Sequence, residues 1–545
     1  MFIKKFIKTY LLKTKSMRLF FKYLRLNIYG FFPAKIPLNP ISNRGTIFIF
    51  SSIGGHTYYS RFDRFLERCF NLKGYKVKIA LCNTDLPICQ EFTHEVSNKN
   101  KINDTFKILY CKACFKHGQK IFDGSDIIYL NDYSTDEYKK IFEDFIKFKN
   151  NKHYSKFEVE GISLGTHIRA GLIRFYGGYD NIESDKFFDE NLLKFSQASI
   201  KTFLSIKNII KKNKITLAIL HHGIYVPQGI INDLLKKYNV DFYTYSMSYR
   251  SQTFFFAKQD TYHKIFLDLK NWDQFEFDID KYLILKNYFK TKAVNNQDWI
   301  DFTTSNDTKL FQNLEDKVNL FGKKNTYIMY TNVTWDAQIH FKNNVFSNIF
   351  EWIDFTFDYF LNNPTKLLVV RSHPAEVLGN VKSRDSIAKY LNKKIHKNIK
   401  NVFVLKPLQK INSYKLMDLS DNYLIYSSKI SIELLFYDKK ILVAGEAFIR
   451  GKGFTLDVDD KLKYFENLNY LPNFNLSQSQ RLKSYKFIYF FFFKLMIKTN
   501  LIKKNSFLSN YPFTFDDFDL IKFKEDKDFY NAICKILSLQ KDITC

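Results

Sequence analysis

Several short stretches in the second half of this 545-residue chain combine the residue types that hold phosphate. They are "TNVTWDAQ" (331–338), "RSHPAE" (371–376), "YSSKISIE" (426–433) and "GEAFIRGKGFT" (445–455). In the second, an apolar run stops at Arg371, Ser372 and His373, and Pro374 and Glu376 then open a helix. A helix start presents unpaired N–H groups and partial positive charge, so an anion fits there, with Arg371 and His373 beside it. Pro374 suits the first helical position and Glu376 a capping box, so the same residues also read as a capped strand–helix joint with surface charges. In the third, Ser427 and Ser428 stand at another helix start with Lys429 nearby, and Glu433 follows where a carboxylate can take ribose hydroxyls. Plain N-capping needs only one of the serines, and a solvated helix face also accounts for Glu433. In the fourth, Glu446, Arg450 and Lys452 gather around glycines in a cationic loop, which a neighbouring phosphate would explain.

The first half offers a different chemistry. His221 and His222 end the stretch "ITLAILHHG" (215–223), beside Gly223 and Tyr225. A histidine there suits a general base on an acceptor hydroxyl, with His222 the candidate and Asp336 the second candidate. A histidine hydrogen-bonded across an interdomain cleft is the competing reading. Cys82, Cys89, Cys111 and Cys114 form a separate group: "CKAC" has metal-knuckle spacing, and His117 is able to replace one ligand. The wider spacing of "LCNTDLPICQ" leaves both a structural Zn²⁺ and unliganded thiols open.

These residues need elements to position them. Strands are predicted at "GTIFIFSS" (45–52), "KVKIALC", "ITLAILHHG" and "DFYTYSMSY" (241–249) in the first half. "NTYIMYTNV", "TKLLVVRSHP", "NVFVLKP", "DNYLIYSS" and "KILVAGEA" repeat the pattern in the second. Helical stretches separate many of them, which predicts parallel, helix-covered sheets and an α/β fold. The polar stretch 292–320 marks a boundary, and 545 residues exceed one core. The expected organisation is a basic amphipathic segment (1–40), two Rossmann-like domains (41–295 and 296–480) facing a ligand cleft, and terminal helices (481–545).

Lys and Arg outnumber Asp and Glu by 83 to 55, a net charge of +28 that favours anionic partners. No nucleic-acid-reading motif accompanies it, so nucleic acid is not an expected partner. No apolar run reaches the length of a spanning helix, and "FIYFFFFKLMI" (487–497) is too short and carries Lys494. Residues 1–35 interleave Lys and Arg with Phe, Tyr and Leu and lack a cleavable-leader pattern. They read as a helix on an anionic membrane surface, or as an ordinary helix packed on the body. The expected location is cytoplasmic, peripheral on the inner face of the cytoplasmic membrane.

Taken in order, the four clusters, with "HHGIYVPQGII" (221–231) and "YSMSYRSQTFFFAKQDTYH" (245–263), resemble bacterial capsule polysaccharide biosynthesis proteins. These include the Kdo-linker transferases that use CMP-Kdo. The resemblance implies a GT-B glycosyltransferase: two Rossmann-like domains, no metal or cofactor required for catalysis, and a nucleotide-sugar donor held mainly by the C-terminal domain. It implies that His373 and the Ser427/Ser428 turn hold donor phosphate, beside the Arg371 and Lys429 read above as its neighbours, that Glu433 addresses ribose, that Glu446 lines the cleft, and that Arg450 and Lys452 supply charge. The implied acceptor is a glycan or glycolipid. The match is nearer to relatives carrying "HHGIYVPQG" than to the Kdo transferases, which leaves the donor sugar unassigned. Two alternatives stay open: a polyol-phosphate transferase using a CDP-linked donor, which shares the fold and the phosphate cradle, and a non-catalytic glycan-binding or assembly protein that keeps the fold.

Overall fold

A computed structural model describes residues 44–538, except 93–103, 179–180, 267–268, 270–271, 295–297, 300–306, 337–344, 380, 385, 397, 505–512 and 517. The basic segment 1–40 and its expected membrane helix lie outside the described residues.

The first sheet contains β1 (Thr46–Ser52), β2 (Lys76–Leu81), β3 (Asp126–Tyr129), β4 (Leu217–His221), β5 (Phe242–Met247) and β6 (Thr253–Lys258). The second contains β7 (Thr326–Tyr330), β8 (Leu367–Arg371), β9 (Val402–Leu405), β10 (Asn422–Ile425), β11 (Lys440–Val443) and β12 (Leu456–Asp457). A late strand, β13 (Ile497–Lys498), returns to the first sheet, and β14 (Ile502–Lys504) pairs with β15 (Phe513–Phe515). The spatial orders are β13-β6-β5-β4-β1-β2-β3 and β12-β11-β10-β7-β8-β9. Every pairing in the second sheet is parallel, whereas β6 and β13 run antiparallel at one edge of the first. This is a two-sheet α/β architecture of Rossmann-like, GT-B-like type.

The strand sequences explain the layers. β4 "LAILH", β7 "TYIMY" and β8 "LLVVR" are buried at every position. Continuous apolar runs of this kind belong to parallel strands covered on both faces. Helices Thr57–Leu72, Leu164–Tyr176 and Phe188–Lys212 cover the first sheet, and Ile349–Leu361 and Ile430–Phe436 pack on the second.

Residues 481–545, read from sequence as helices, also supply β13, β14 and β15, so this segment crosses back to the first sheet. The Phe-rich stretch is internal. Gln478–Tyr489 runs into a π-helical turn, Phe490–Leu495, and Phe487, Phe491 and Phe492 are fully buried. Phe492 packs on Tyr288 and Phe289, and Phe491 on Tyr249 and Phe255. Arg250 donates to the Phe492 carbonyl at 2.6 Å, a group an uninterrupted α-helix would use itself. No helix among the described residues is long and apolar enough to cross a membrane.

Candidate functional site

The C-terminal ends of β7, β8, β10 and β11 carry the four clusters. Asp336 follows β7, His373 follows β8, Ser427, Ser428 and Lys429 follow β10, and Glu446 follows β11. The ends of β1, β4 and β5 carry His56, His221, His222 and Tyr249. Side chains join the two sets. Arg174, in the helix Leu164–Tyr176, donates from Nη1 to Asp336 Oδ1 at 3.2 Å, and Tyr225 Oη donates to the same oxygen at 3.0 Å. Lys429 Nζ lies 4.6 Å from the Tyr249 ring centroid. The Asp336 charge also acts on Tyr59, Tyr249, Tyr262 and His263 from the first domain and on His373 from the second. The strand ends of the two sheets therefore meet, with polar side chains from both sides.

On the second domain's side, His373 is the best-defined group. Its Nδ1 accepts the Ala375 N–H at 3.0 Å. Burial, with Arg371 and Lys429 nearby, pushes its pKa down to about 4. The ring is therefore neutral near pH 7, with its proton on Nε2 as a donor. The sequence placed Pro374 first in a helix with Glu376 as a capping box. Instead Pro374 is the N-cap of a one-turn helix, Ala375–Leu378, and the His373 ring does the capping. Glu376 is buried, with its pKa raised by burial to about 7. Arg371 is buried too, donating from Nη1 to the Lys406 carbonyl at 2.8 Å. Arg371 Nε, Ser372 Oγ and Thr334 Oγ1 are buried without a hydrogen-bond partner among the described residues. Such groups are uncommon in a finished interior and mark these strand ends as unusual.

Ser427 and Ser428 are half-buried at the start of Ile430–Phe436, whose N-cap is Lys429 with no side-chain cap bond. Glu433 is enclosed. Its Oε1 lies 3.2 Å from Lys292 Nζ and 3.1 Å from Lys429 Nζ, and Tyr414 Oη donates to Oε2. Lys292 also pairs with Asp298 at 2.6 Å. Burial opposes ionisation of Glu433, but Lys292, Lys429 and Tyr414 outweigh it and hold the carboxyl at about 2. Arg450 donates to the backbone carbonyls of Val443, Gly445 and Val458, and Lys452 Nζ donates to the Arg450 carbonyl at 3.3 Å. These cations hold the 445–458 loop together. Glu446 is buried.

On the first domain's side, Tyr59 stacks on His221 with ring centroids 3.2 Å apart. His222 Nδ1 accepts the Ile224 N–H at 3.1 Å, so its proton sits on Nε2 and the ring acts as a donor. His222 and Tyr225 have φ of 30° and 65°, left-handed backbone that costs side-chain-bearing residues energy and collects at functional sites. Asp336 has a side chain 48% exposed, which leaves it accessible in the cleft. Arg174, Tyr59, Tyr249, Lys292 and Asp298 were missed from sequence. Arg174 ends an ordinary helix, and its carboxylate partner lies 162 residues away.

Burial raises the pKa of Cys82, Cys89, Cys111 and Cys114, and the neighbouring thiols add to the rise at Cys89, Cys111 and Cys114. The thiols are free, and Cys114 Sγ accepts the Gly55 N–H at 3.0 Å. His117 Nδ1 instead bonds the Gly54 carbonyl at 2.8 Å. Among the described residues, no group of three or more His, Cys, Asp or Glu is placed to hold a metal ion.

Two facing α/β domains with polar strand ends define a GT-B-like protein. Over residues 287–492 the chain matches the family model described as capsule polysaccharide biosynthesis protein, and it resembles that family there. Among solved structures it is similar to the KpsC beta Kdo 2,4 transferase of Thermosulfurimonas dismutans, at 12% identity and TM-score 0.36, over 50% of this chain and 79% of that one. The KpsC beta Kdo 2,7 transferase of the same organism matches at 13% identity and TM-score 0.28, over 52% and 79%. The UDP-GlcNAc 2-epimerase of Methanocaldococcus jannaschii matches at 10% identity and TM-score 0.24, over 81% and 97%. No curated protein matches the chain.

Proposed function

We propose that the protein is a glycosyltransferase of capsule or surface polysaccharide synthesis, moving a sugar from a nucleotide donor to a glycan or glycolipid acceptor. The observation that carries this reading is the set of polar strand ends on the second domain. His373, Ser427, Ser428 and Lys429 stand at strand ends of the same sheet as the accessible carboxylate Asp336, within a match to a capsule-synthesis family model. The neutral His373 offers Nε2–H to a phosphate oxygen, and Lys429 and the Ser427 and Ser428 hydroxyls stand at the neighbouring strand end. These groups would stabilise charge developing on the leaving nucleotide without a metal. Asp336 would take the proton from an acceptor hydroxyl as that oxygen attacks the anomeric carbon and the sugar–phosphate bond breaks. His222, held as a donor, would orient the acceptor. Glu446 would line the cleft, and Glu433 would act through Lys429. CMP-Kdo is one donor of the proposed class.

Cytoplasmic-face membrane association is part of the proposal, supported by the basic and aromatic residues of 1–40. Assay of purified protein with CMP-, UDP-, GDP- and CDP-linked donors and a lipid-linked glycan tests the activity. Acceptor-dependent nucleotide release from one donor is expected. Nucleotide binding without transfer to any acceptor would favour a glycan-binding role instead.

A further inference from the structure

One guanidinium lies at the centre of the domain junction. Arg174 Cζ lies 4.7 Å from the ring centroid of Tyr225, in its own domain, and 5.0 Å from that of Trp335, in the other. Its Nη1 also donates to Tyr225 Oη at 3.2 Å and to Asp336 Oδ1 at 3.2 Å. Beside it the backbones meet: Arg384 N–H donates to the Gly177 carbonyl at 2.8 Å; within the second domain, Trp335 Nε1 donates to Ser383 Oγ at 3.1 Å, beside that crossing. Val333, Trp335 and Val381, from the second domain, pack into the first domain's core. The backbone leading to Asp336 is thus docked on the opposite domain.

We propose that Arg174 is a positioning residue, holding Asp336 in its working orientation only when the two domains are closed. This rests on the reading of Asp336 as the base. A half-exposed aspartate has several staggered rotamers available, and two donors converging on one of its oxygens select among them. Both donors belong to the first domain, while the carboxylate belongs to the second. Separation of the domains would release it. Arginine suits the task because a planar guanidinium stacks on aromatic rings while donating at its edge, which an ammonium does not reproduce. Tyr225 keeps a left-handed φ of 65°, and that backbone cost accompanies a hydroxyl placed on Asp336 Oδ1. The consequence is economy of donor: an open enzyme would bind nucleotide sugar with its base misdirected, and transfer would await closure on the acceptor.

The test uses Arg174→Met, Arg174→Lys and Tyr225→Phe in the full chain. A charge-assisted hydrogen bond made in the transition state corresponds to a loss of about ten- to a hundredfold. Arg174→Met should lose that much kcat while calorimetric nucleotide affinity stays within about twofold. Arg174→Lys should recover part of the loss, and Tyr225→Phe should lose less than Arg174→Met. Unchanged kcat in a folded Arg174→Met protein overturns the proposal. So does a parallel loss of kcat and nucleotide affinity, which would mark a structural role only. If wild-type protein transfers from no donor, the functional reading fails, and small-angle scattering decides the clamp. Arg174→Met and Asp336→Asn should each enlarge the particle, and the double variant should add nothing further. No enlargement in either overturns the clamp.

Discussion

Glu433 and Asp336 are both carboxylates on the cleft side of the second sheet, and both meet a cation from an earlier part of the chain. Glu433 meets Lys292 and Lys429 and is 4% exposed; Asp336 meets Arg174 and has a side chain 48% exposed. Full enclosure between cations turns Glu433 into a fixed charge, held at about 2 and unable to exchange a proton near neutrality. It balances Lys429, whose ammonium reaches Tyr249 across the junction. Asp336 is oriented by its cation yet still meets solvent. The difference separates a carboxylate that builds the site from one that can act in it.

The strongest way to break this contrast is to remove the accessible carboxylate. Asp336→Asn keeps the shape and one acceptor oxygen but deletes the base. Losing general-base catalysis costs about 10²–10⁴-fold, so kcat for transfer should fall by that range with nucleotide affinity intact. A variant that transfers at the wild-type rate would move the base elsewhere.

The enclosed cluster should fail differently. Lys292→Met removes the cation shared by Asp298 and Glu433, whose side chains are only 3% and 5% exposed. Breaking a buried pair costs about 3–5 kcal/mol, because a charge stays behind in a dry site. Denaturant unfolding should show that loss. A midpoint equal to wild type would show that the cluster tolerates the missing charge, erasing its distinction from the Asp336 site.

The phosphate cradle comes next. His373→Ala, or Ser427→Ala with Ser428→Ala, should weaken binding of the preferred nucleotide by about tenfold or more, from roughly 1.5–3 kcal/mol of charge-assisted hydrogen bonding. Calorimetry reads it directly. A lower melting temperature with intact affinity would return His373 to a capping role at the Ala375 N–H.

The legibility of the molecule divides along similar lines. The nine strands read from sequence all exist, because buried parallel strands are continuous apolar runs between turn signals. The edge strands β3, β12 and β13 were not read: none of them has a fully buried residue, so they lack the buried apolar run that marks the equally short β9, β10 and β11. β6 was hidden inside a longer aromatic stretch. The second-sheet clusters were legible because polar residues interrupt apolar runs where strands stop. Whether a charge there is spent or accessible was not legible. Arg450 and Glu433 look like ligands in sequence, but the first is bound by backbone carbonyls and the second by lysines. Arg174, Lys292 and Asp298 gave no signal, since their meaning lies in partners brought close by folding.

The smallest expected effect sharpens the comparison through pH. Asp63 is 1% exposed and accepts a hydrogen bond from Tyr245 Oη at 2.6 Å. Burial raises its pKa from 3.8 to about 7, against the opposing hydrogen bond of Tyr245 and with Glu67 adding to the rise. Enclosure without a compensating cation thus does to Asp63 the reverse of what it does to Glu433. The signs follow. A carboxyl raised in the fold contributes stability that is complete below 3.8 and lost as pH rises toward about 7. Glu433, lowered from 4.5 to about 2, contributes stability that is complete above 4.5 and lost only as pH falls below it. Between pH 5 and 7, then, Glu433 is silent and Asp63 contributes a downward slope of about 1 kcal/mol per pH unit, while His373 and His263, each lowered by burial from 6.5 to about 4, contribute slopes of the opposite sign below 6.5. Asp63→Asn should remove the downward contribution, so that unfolding free energy rises more, or falls less, with pH than in wild type across that interval, measured by denaturant melts at several pH values. Glu376, raised by burial to about 7, makes a contribution of the same sign as that of Asp63, which Glu376→Gln removes. An unaltered slope in Asp63→Asn would mean that this carboxyl is hydrated and ionised in the fold, and that burial alone does not separate it from Glu433.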